Sequence, residues 1–177
     1  EGDSGDTSTN IASQTVDAGL AKGVDAFIGA ASSSVSLTII DKITSSGKVQ
    51  ISPANTSIKL STYPDNGLYF RTAPPDTFQG AVLGNLVSGD AHKTAAVLAL
   101  QDAYGEGLAK TFVESFTGAG GTMAIDPIIY DPKAASYEAE VTKVKGANPE
   151  ALVLIGFDES KKIIQELIKQ DRKSTRL

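Results

Sequence analysis

The sequence predicts an α/β fold with mostly parallel sheets, arranged as two Rossmann-like lobes. Short apolar segments alternate along the chain with amphipathic segments of about ten residues or more, which is typical of parallel strands joined by right-handed helical crossovers. Several apolar segments end at Gly or Pro, or lead into hydroxyl residues that can cap a helix. A Pro-rich turn, Pro74-Pro75-Asp76, lies near the middle of the chain and divides a lobe of residues 1–75 from a lobe of residues 76–170.

The first lobe is predicted to contain two helices and three strands. The helices are expected over residues 7–21 and from the run Ser32-Ser33-Ser34 to about Ser46, and the strands over residues 24–29, 49–52 and 68–72. The serine hydroxyls are suited to the N-cap of the second helix, and Pro53 is expected to end the second strand.

The second lobe repeats this alternation. Its helices are expected over residues 76–88, 105–118, 135–145 and 159–170, and its strands over residues 94–100, 123–130 and 151–155. Asp76 is expected to cap the first of these helices.

The two ends of the chain are unusual. The start at Glu1 shows no signal peptide and no Met, which favours a truncated or processed beginning. Residues 171–177 have no apolar period and can be encoded by a widely used sequencing-adapter sequence read in frame. We therefore hypothesise that they are not native and leave them out of the fold prediction; a basic, frayed tail is the alternative.

Composition excludes several classes of function. The 177 residues carry 16 basic and 21 acidic side chains, a net charge of −5, so nucleic acid is not an expected partner. With no Cys and a single His, the chain has no thiol nucleophile and none of the usual zinc ligand sets. No phosphate-binding loop, dinucleotide fingerprint or Gly-x-Ser-x-Gly motif occurs, so we expect neither a cofactor nor an enzyme.

Three loops are candidate ligand sites because each follows a predicted strand and leads towards a helix, where free backbone N–H groups collect. They are Gly29–Ser34, Ser52–Thr56 and Asp102–Gly107. Each loop considered alone is more often simple helix capping than a site. Asn55-Thr56-Ser57 also matches a glycosylation sequon, which is a frequent chance match.

Taken together, five motifs are similar to those of the branched-chain amino-acid-binding family of ABC-transporter substrate-binding proteins. They are Phe27-Ile28-Gly29 with the serine run, Ile51–Thr56, Tyr69–Thr72, Tyr104–Ala109 and Pro149–Gly156, and they occur in the family's order and spacing. The resemblance implies the two-lobed type I periplasmic-binding fold. It also implies an incomplete chain, because the family's first strand would precede Glu1 and its last strands would follow Gln170.

The resemblance further implies a non-catalytic function, the capture of an extracytoplasmic solute in a cleft between the lobes for a membrane permease. Ser33 and Thr56 would hold a ligand carboxylate together with backbone N–H groups of the serine-run helix, and Ser34 is a further expected ligand-binding residue. The Ala54 carbonyl and the Thr56 hydroxyl would face a ligand ammonium. Tyr104 and Phe157 would close over the ligand from the second lobe.

The ligand stays open at this stage. A branched-chain amino acid is favoured, but the family supplies an acidic partner for the ammonium from a segment outside this chain. Phe157 also stands where a relative often has tyrosine, which removes one polar contact. Receptors for short amides, urea or aromatic acids, or a ligand-sensing domain of a signalling protein, are the alternatives.

Overall fold

The computed structural model describes residues 1–170, which divide into two compact units, the first Glu1–Phe78 and the second beginning at Gln79. All strand pairs in the described residues are parallel, so the predicted α/β class with parallel sheets is confirmed. The division lies between residues 78 and 79, close to the predicted boundary between residues 75 and 76. The hypothesis of a non-native tail concerns residues 171–177, which lie outside the described residues.

The first unit contains a three-stranded sheet in the order β1-β2-β3. Its elements are α1 (Ile11–Ala21), β1 (Ala26–Ile28), α2 (Ser33–Ser45), β2 (Val49–Ser52) and β3 (Tyr69–Arg71), with a 3₁₀ turn at Ile58–Ser61 between the last two strands. Strand β1 is shorter than the predicted strand of residues 24–29, because its pairing starts where Ala26 lies opposite Val49, the first residue of β2.

The two helices of this unit pack against each other and against Phe27 of β1. The buried side chains of Val35, Ile39 and Ile43 lie on one face of α2 at a spacing of four residues, and they meet Val16 of α1. Ser32 caps α2 as predicted, since its Oγ accepts a hydrogen bond of 3.4 Å from the Val35 N–H.

Alternate residues of the same strands form an apolar row whose two ends, Ile28 and Phe70, are exposed and whose middle member, Ile51, is partly exposed. Ile28 lies opposite Ile51, and Ile51 lies opposite Phe70 in the next strand. Ile28 is 75% exposed and Phe70 is 53% exposed. The strands therefore bury the Phe27 side of β1 and leave this row in contact with solvent.

The second unit is built around β4. The elements from the division onwards are α3 (Asp76–Gly89), which crosses it, β4 (Thr94–Leu100), α4 (Ala103–Gly118), β5 (Thr122–Met123), β6 (Ile128–Tyr130), α5 (Glu138–Ala147), β7 (Ala151–Ile155) and α6 (Ser160–Gln170). Residues 95–100 of β4 are at most 1% exposed. Phe112 and Phe116 of α4, both fully buried, pack in the same core. Within residues 1–170, no helix combines the length and the apolarity that crossing a bilayer requires.

The predicted single strand over residues 123–130 is wrong. Thr94 pairs with Thr122, an offset of 28 residues, whereas Leu98 pairs with Ile128, an offset of 30. Two extra residues are therefore accommodated between β5 and β6, which lie in succession along the same edge of β4, opposite β7. Pro127 lies in this interruption and has no N–H to donate to a ladder.

Two helix starts also differ from the prediction. Helix α5 begins at Glu138 instead of residue 135. Helix α4 begins at Ala103 instead of residue 105, because Asp102 caps it by accepting a 2.7 Å hydrogen bond from the Gly105 N–H. Tyr104 is consequently part of the first helical turn and does not belong to a free loop.

Two glycines allow α3 to approach α4 closely. A Cβ added at Gly84 would lie 2.7 Å from the Ser115 Cβ and 2.8 Å from the Phe116 backbone nitrogen, and Gly80 meets Thr111 and Phe112 in the same way one turn earlier. These distances are shorter than van der Waals contact. A side chain at either position would force the two helices apart.

Gly84→Ala is therefore expected to destabilise the protein by about 1–3 kcal/mol through overpacking. Gly146→Ala in α5 is the matched control, because an added Cβ there meets no atom within 4 Å. The control should be neutral or stabilising by roughly 0.5–1 kcal/mol, since Ala favours a helix interior over Gly. Urea denaturation followed by circular dichroism measures both changes. Equal effects of the two variants would contradict the close helix contact.

Glu150 connects the start of β7 to the start of β4. Its carboxylate accepts hydrogen bonds from the backbone N–H groups of Lys93 at 2.5 Å and Thr94 at 3.3 Å, and its own N–H donates to the Thr94 hydroxyl at 3.1 Å. The two backbone donors lower the pKa of the Glu150 carboxyl. Folding therefore stabilises the ionised form of the Glu150 carboxyl relative to its protonated form.

This lowered pKa sets the sign of a pH effect. The stabilisation from Glu150 is present above the pKa of an unfolded glutamate and is lost as the pH falls through the lower folded pKa. The difference in stability between the wild type and Glu150→Gln should thus be largest at neutral pH and should shrink on acidification. Thermal melts at a series of pH values measure it, and a difference that stays constant with pH would contradict the role of the charge.

Candidate functional site

The carboxyl ends of β1 and β2 carry two loops that pack against each other, which we call the first loop edge (residues 29–34 and 52–57). Ser33 joins them, because its Oγ accepts hydrogen bonds of 3.2 Å from the backbone N–H groups of both Thr56 and Ser57. Ser33 is 2% exposed. The structure therefore shows this serine holding the loops together, and its contact with a ligand stays a prediction.

The other predicted residues of the first loop edge are more accessible. Ser34 and Thr56 are partly exposed and Ala54 is exposed. Within residues 1–170, neither the Thr56 hydroxyl nor the Ala54 carbonyl oxygen forms a hydrogen bond, whereas the Thr56 carbonyl accepts one of 2.8 Å from the Asp76 N–H. A fixed backbone thus presents one hydroxyl and one carbonyl that can each bond to a ligand.

A buried polar cluster, which no motif in the sequence indicates, lies beneath this edge. It consists of Ser36, Ser52, Asn55 and Tyr69, and we call it the Asn55 cluster. The Asn55 amide nitrogen donates to the carbonyl oxygens of Ala30 at 3.1 Å and Ala31 at 2.9 Å, and the Asn55 Oδ1 accepts from the Tyr69 hydroxyl at 2.9 Å. These bonds connect the two loops to the sheet.

The remaining members complete the cluster. The Ser52 hydroxyl donates to the Ala30 carbonyl at 2.7 Å and accepts a 3.0 Å bond from the Asn55 N–H. Burial raises the pKa of Tyr69 to about 12, so its hydroxyl stays protonated and keeps donating to Asn55. Because Asn55 is fully buried and its amide nitrogen is used twice, the sequon is closed to glycosylation in the folded protein.

The strands of the second unit bring Tyr104 and Phe157 together. Tyr104 follows β4 and Phe157 follows β7, and the two ring centroids lie 5.7 Å apart with an interplanar angle of 18°. Tyr104 is partly buried, whereas Phe157 is 52% exposed. The stacked pair offers a flat aromatic surface, and its contact with a ligand remains a prediction.

A second group that the sequence analysis missed fixes the backbone at Phe157. The Glu159 Oε1 accepts hydrogen bonds from the Phe157 N–H and from the Tyr130 hydroxyl, both at 2.9 Å. A glutamate two residues beyond the end of an apolar run is the only local signal, and nothing near it in the sequence indicates Tyr130 as its partner.

Neither set of residues suggests metal chemistry. The described part of the chain contains no group of three or more His, Asp or Glu side chains placed to hold a metal ion. The functional groups on the two units are hydroxyls, carbonyls, backbone N–H groups and aromatic rings. Such groups bind a small organic molecule through hydrogen bonds and apolar contact.

Comparison with known proteins identifies the family. A family model described as "Periplasmic binding protein" matches residues 1–174. The chain belongs to the periplasmic binding protein family. A relative in Methanocaldococcus jannaschii, the uncharacterized protein MJ1266, is 30% identical over 167 residues, which cover 89% of this chain and 40% of the relative.

Solved structures show that this periplasmic binding protein has the type I fold. An extracellular ligand-binding receptor from Rhodopseudomonas palustris HaA2 is similar with a TM-score of 0.85 at 21% identity, and the leucine binding protein LivK from Thermotoga maritima MSB8 with 0.80 at 23% identity. Each match covers 93% of this chain and 46% of the other.

A third match carries a ligand in its description. A solute binding protein of an ABC transporter from R. palustris in complex with benzoate has a TM-score of 0.81 at 18% identity, over 90% of this chain and 44% of the other. At these identities the structural matches support the fold alone. The chain spans less than half the length of each of these relatives.

The Asn55 cluster makes a prediction for stability. Asn55→Ala should cost about 1–3 kcal/mol, because it leaves the Tyr69 hydroxyl and the Ala31 carbonyl without their partner. Asn85→Ala, at an exposed position of α3, is the control and should stay within about 0.5 kcal/mol of the wild type. Urea denaturation compares them, and an equal, small effect of both would show that the cluster does not stabilise the first unit.

Proposed function

We propose that this periplasmic binding protein is the extracytoplasmic solute-binding subunit of an ABC importer, and that it captures an amino acid, most favourably a branched-chain one, for a membrane permease. The observation that carries the proposal is the pairing, on the first loop edge, of the Thr56 hydroxyl and the Ala54 carbonyl with no hydrogen bond from the described residues. An amino acid supplies the complementary groups, a carboxylate that accepts and an ammonium that donates.

The surroundings of these two groups support binding of a carboxylate. Ser34 lies in the first turn of α2, where the helix dipole favours negative charge. Hydrogen bonds to an ionised carboxylate are roughly twice as strong as neutral ones. Ser33 and the Asn55 cluster would keep the loops in place, so that little ordering is needed when the ligand binds.

An aromatic acid is the second candidate, and the Tyr104–Phe157 stack favours it. Phe157 contributes an apolar face with no hydroxyl, and a third ring could extend the offset stack. One structural neighbour is described as a complex with benzoate. An aromatic acid would supply a carboxylate and a ring, but it would leave the Ala54 carbonyl without an ammonium.

Isothermal titration calorimetry of the protein, produced with whatever flanking sequence its gene encodes, tests the proposal. The titrants are leucine, isoleucine, valine, benzoate and acetamide. Binding of the three amino acids is the expected result. Binding of benzoate or acetamide alone would replace the amino acid as ligand, and binding of none of the five would contradict the proposed class of ligand.

Thr56→Val should weaken amino-acid binding by roughly 1.5–3 kcal/mol, or about 10- to 150-fold in Kd, because a hydrogen bond to a charged group is lost. Thr38→Val is the matched control. Thr38 is exposed on α2, and its hydroxyl bonds to the Val35 carbonyl of its own helix at 2.7 Å. Unchanged affinity in Thr56→Val would remove Thr56 from the site.

A further inference from the structure

We propose that Glu159 and Tyr130 are positioning residues that hold the backbone at Phe157, and thereby the Phe157 ring, as a preformed binding surface. The inference rests on the proposed function in one respect, that Phe157 contacts the ligand. The geometry of the group itself is independent of any ligand. One carboxylate oxygen, the Glu159 Oε1, connects the backbone at Phe157 to the buried Tyr130.

Tyr130, the last residue of β6, is held in place by burial and packing. Tyr130 is 1% exposed, and its ring packs edge to face against Tyr137 at a centroid distance of 5.3 Å. Its hydroxyl lies 2.9 Å from the Glu159 Oε1 and 3.0 Å from the Ile155 carbonyl oxygen. Burial and the neighbouring carboxylate raise the pKa of Tyr130 far above its usual value, so the hydroxyl remains a donor.

Phe157 is the residue whose position these contacts determine. Its ring is 52% exposed, so burial in the core does not determine where it lies. Its N–H donates to the same Glu159 oxygen that Tyr130 reaches, and its carbonyl accepts a 3.2 Å bond from the Ser160 N–H at the start of α6. Both backbone groups are therefore held, and the ring is left free to stack on Tyr104.

Gly156 makes the approach possible. A Cβ added at this position would overlap the Tyr130 hydroxyl and would lie 2.7 Å from the Glu159 Oε1. Any side chain would push the Phe157 segment away from the tyrosine. The contact thus depends on four residues from the ends of β6 and β7 and the segment that follows: Tyr130, Gly156, Phe157 and Glu159.

The experiment compares four variants of the protein by NMR spectroscopy. Glu159→Ala removes the acceptor, and Glu159→Gln keeps an oxygen that can accept both bonds. Tyr130→Phe removes only the Tyr130 hydroxyl, which donates to that oxygen. Tyr137→Phe is the matched control. Tyr137 is 2% exposed, and its hydroxyl bonds to the carbonyls of Asp131 at 3.2 Å and Pro132 at 3.0 Å, neither of which belongs to the Phe157 segment.

The first measurement is hydrogen exchange of the Phe157 amide relative to that of Val153 in β7, together with nuclear Overhauser contacts between the Tyr104 and Phe157 rings. In Glu159→Ala the relative protection should fall about tenfold and the ring contacts should weaken. Glu159→Gln should keep the relative protection and the ring contacts at the wild-type level. Tyr130→Phe should lower both, whereas Tyr137→Phe should leave them unchanged even where it lowers stability.

The second measurement is the affinity for leucine and for benzoate. Glu159→Ala and Tyr130→Phe should each weaken whichever probe binds the wild type by about three- to tenfold, with the control unaffected. If the wild type binds neither probe, the proposed ligand class fails while the NMR result still decides the positioning role. Unchanged Phe157 protection in Glu159→Ala, or equal effects of Tyr130→Phe and Tyr137→Phe, would overturn the inference.

Discussion

The carboxyl ends of parallel strands all lie on the same side of a sheet, so the loops that follow the strands meet there. The backbone polar groups of these loops need hydrogen-bond partners at that side. This constraint shapes both units. In the first unit, a single asparagine side chain bonds to carbonyls of one loop while its own backbone lies in the next. In the second unit, a glutamate side chain performs the equivalent task for the segment after β7. Of the proposed ligand contacts, Ala54, Thr56 and Phe157 lie on segments that these side chains hold.

Local features of the sequence were enough to predict most elements. The Ser32 cap, the positions of β2 and β4, and the helix–strand alternation all follow from residues close together in the chain. The prediction of one continuous strand over residues 123–130 was wrong because the interruption depends on the register against β4, 28 to 30 residues away. Periodicity within one segment contains no information on a register shift of this kind.

The site was predicted unevenly for a similar reason. Residue type and place after a strand selected the loops that contain Thr56 and Tyr104, and the family resemblance added Phe157. Neither indicated Asn55, which resembled a chance sequon, or Tyr130, whose acceptor Glu159 lies 29 residues further along the chain. Buried polar partners separated by such distances in sequence become visible only when the strands are placed side by side.

The apolar row of Ile28, Ile51 and Phe70 has a practical consequence for work with this chain. Dyes that become fluorescent on apolar surfaces can bind to the exposed Ile28 and Phe70 side chains in the folded state, before any heating. A dye-based thermal shift assay would then begin from a high signal, and a ligand that displaced dye could be mistaken for one that stabilises the fold. The chain has no tryptophan, so its five tyrosines offer the natural optical signal.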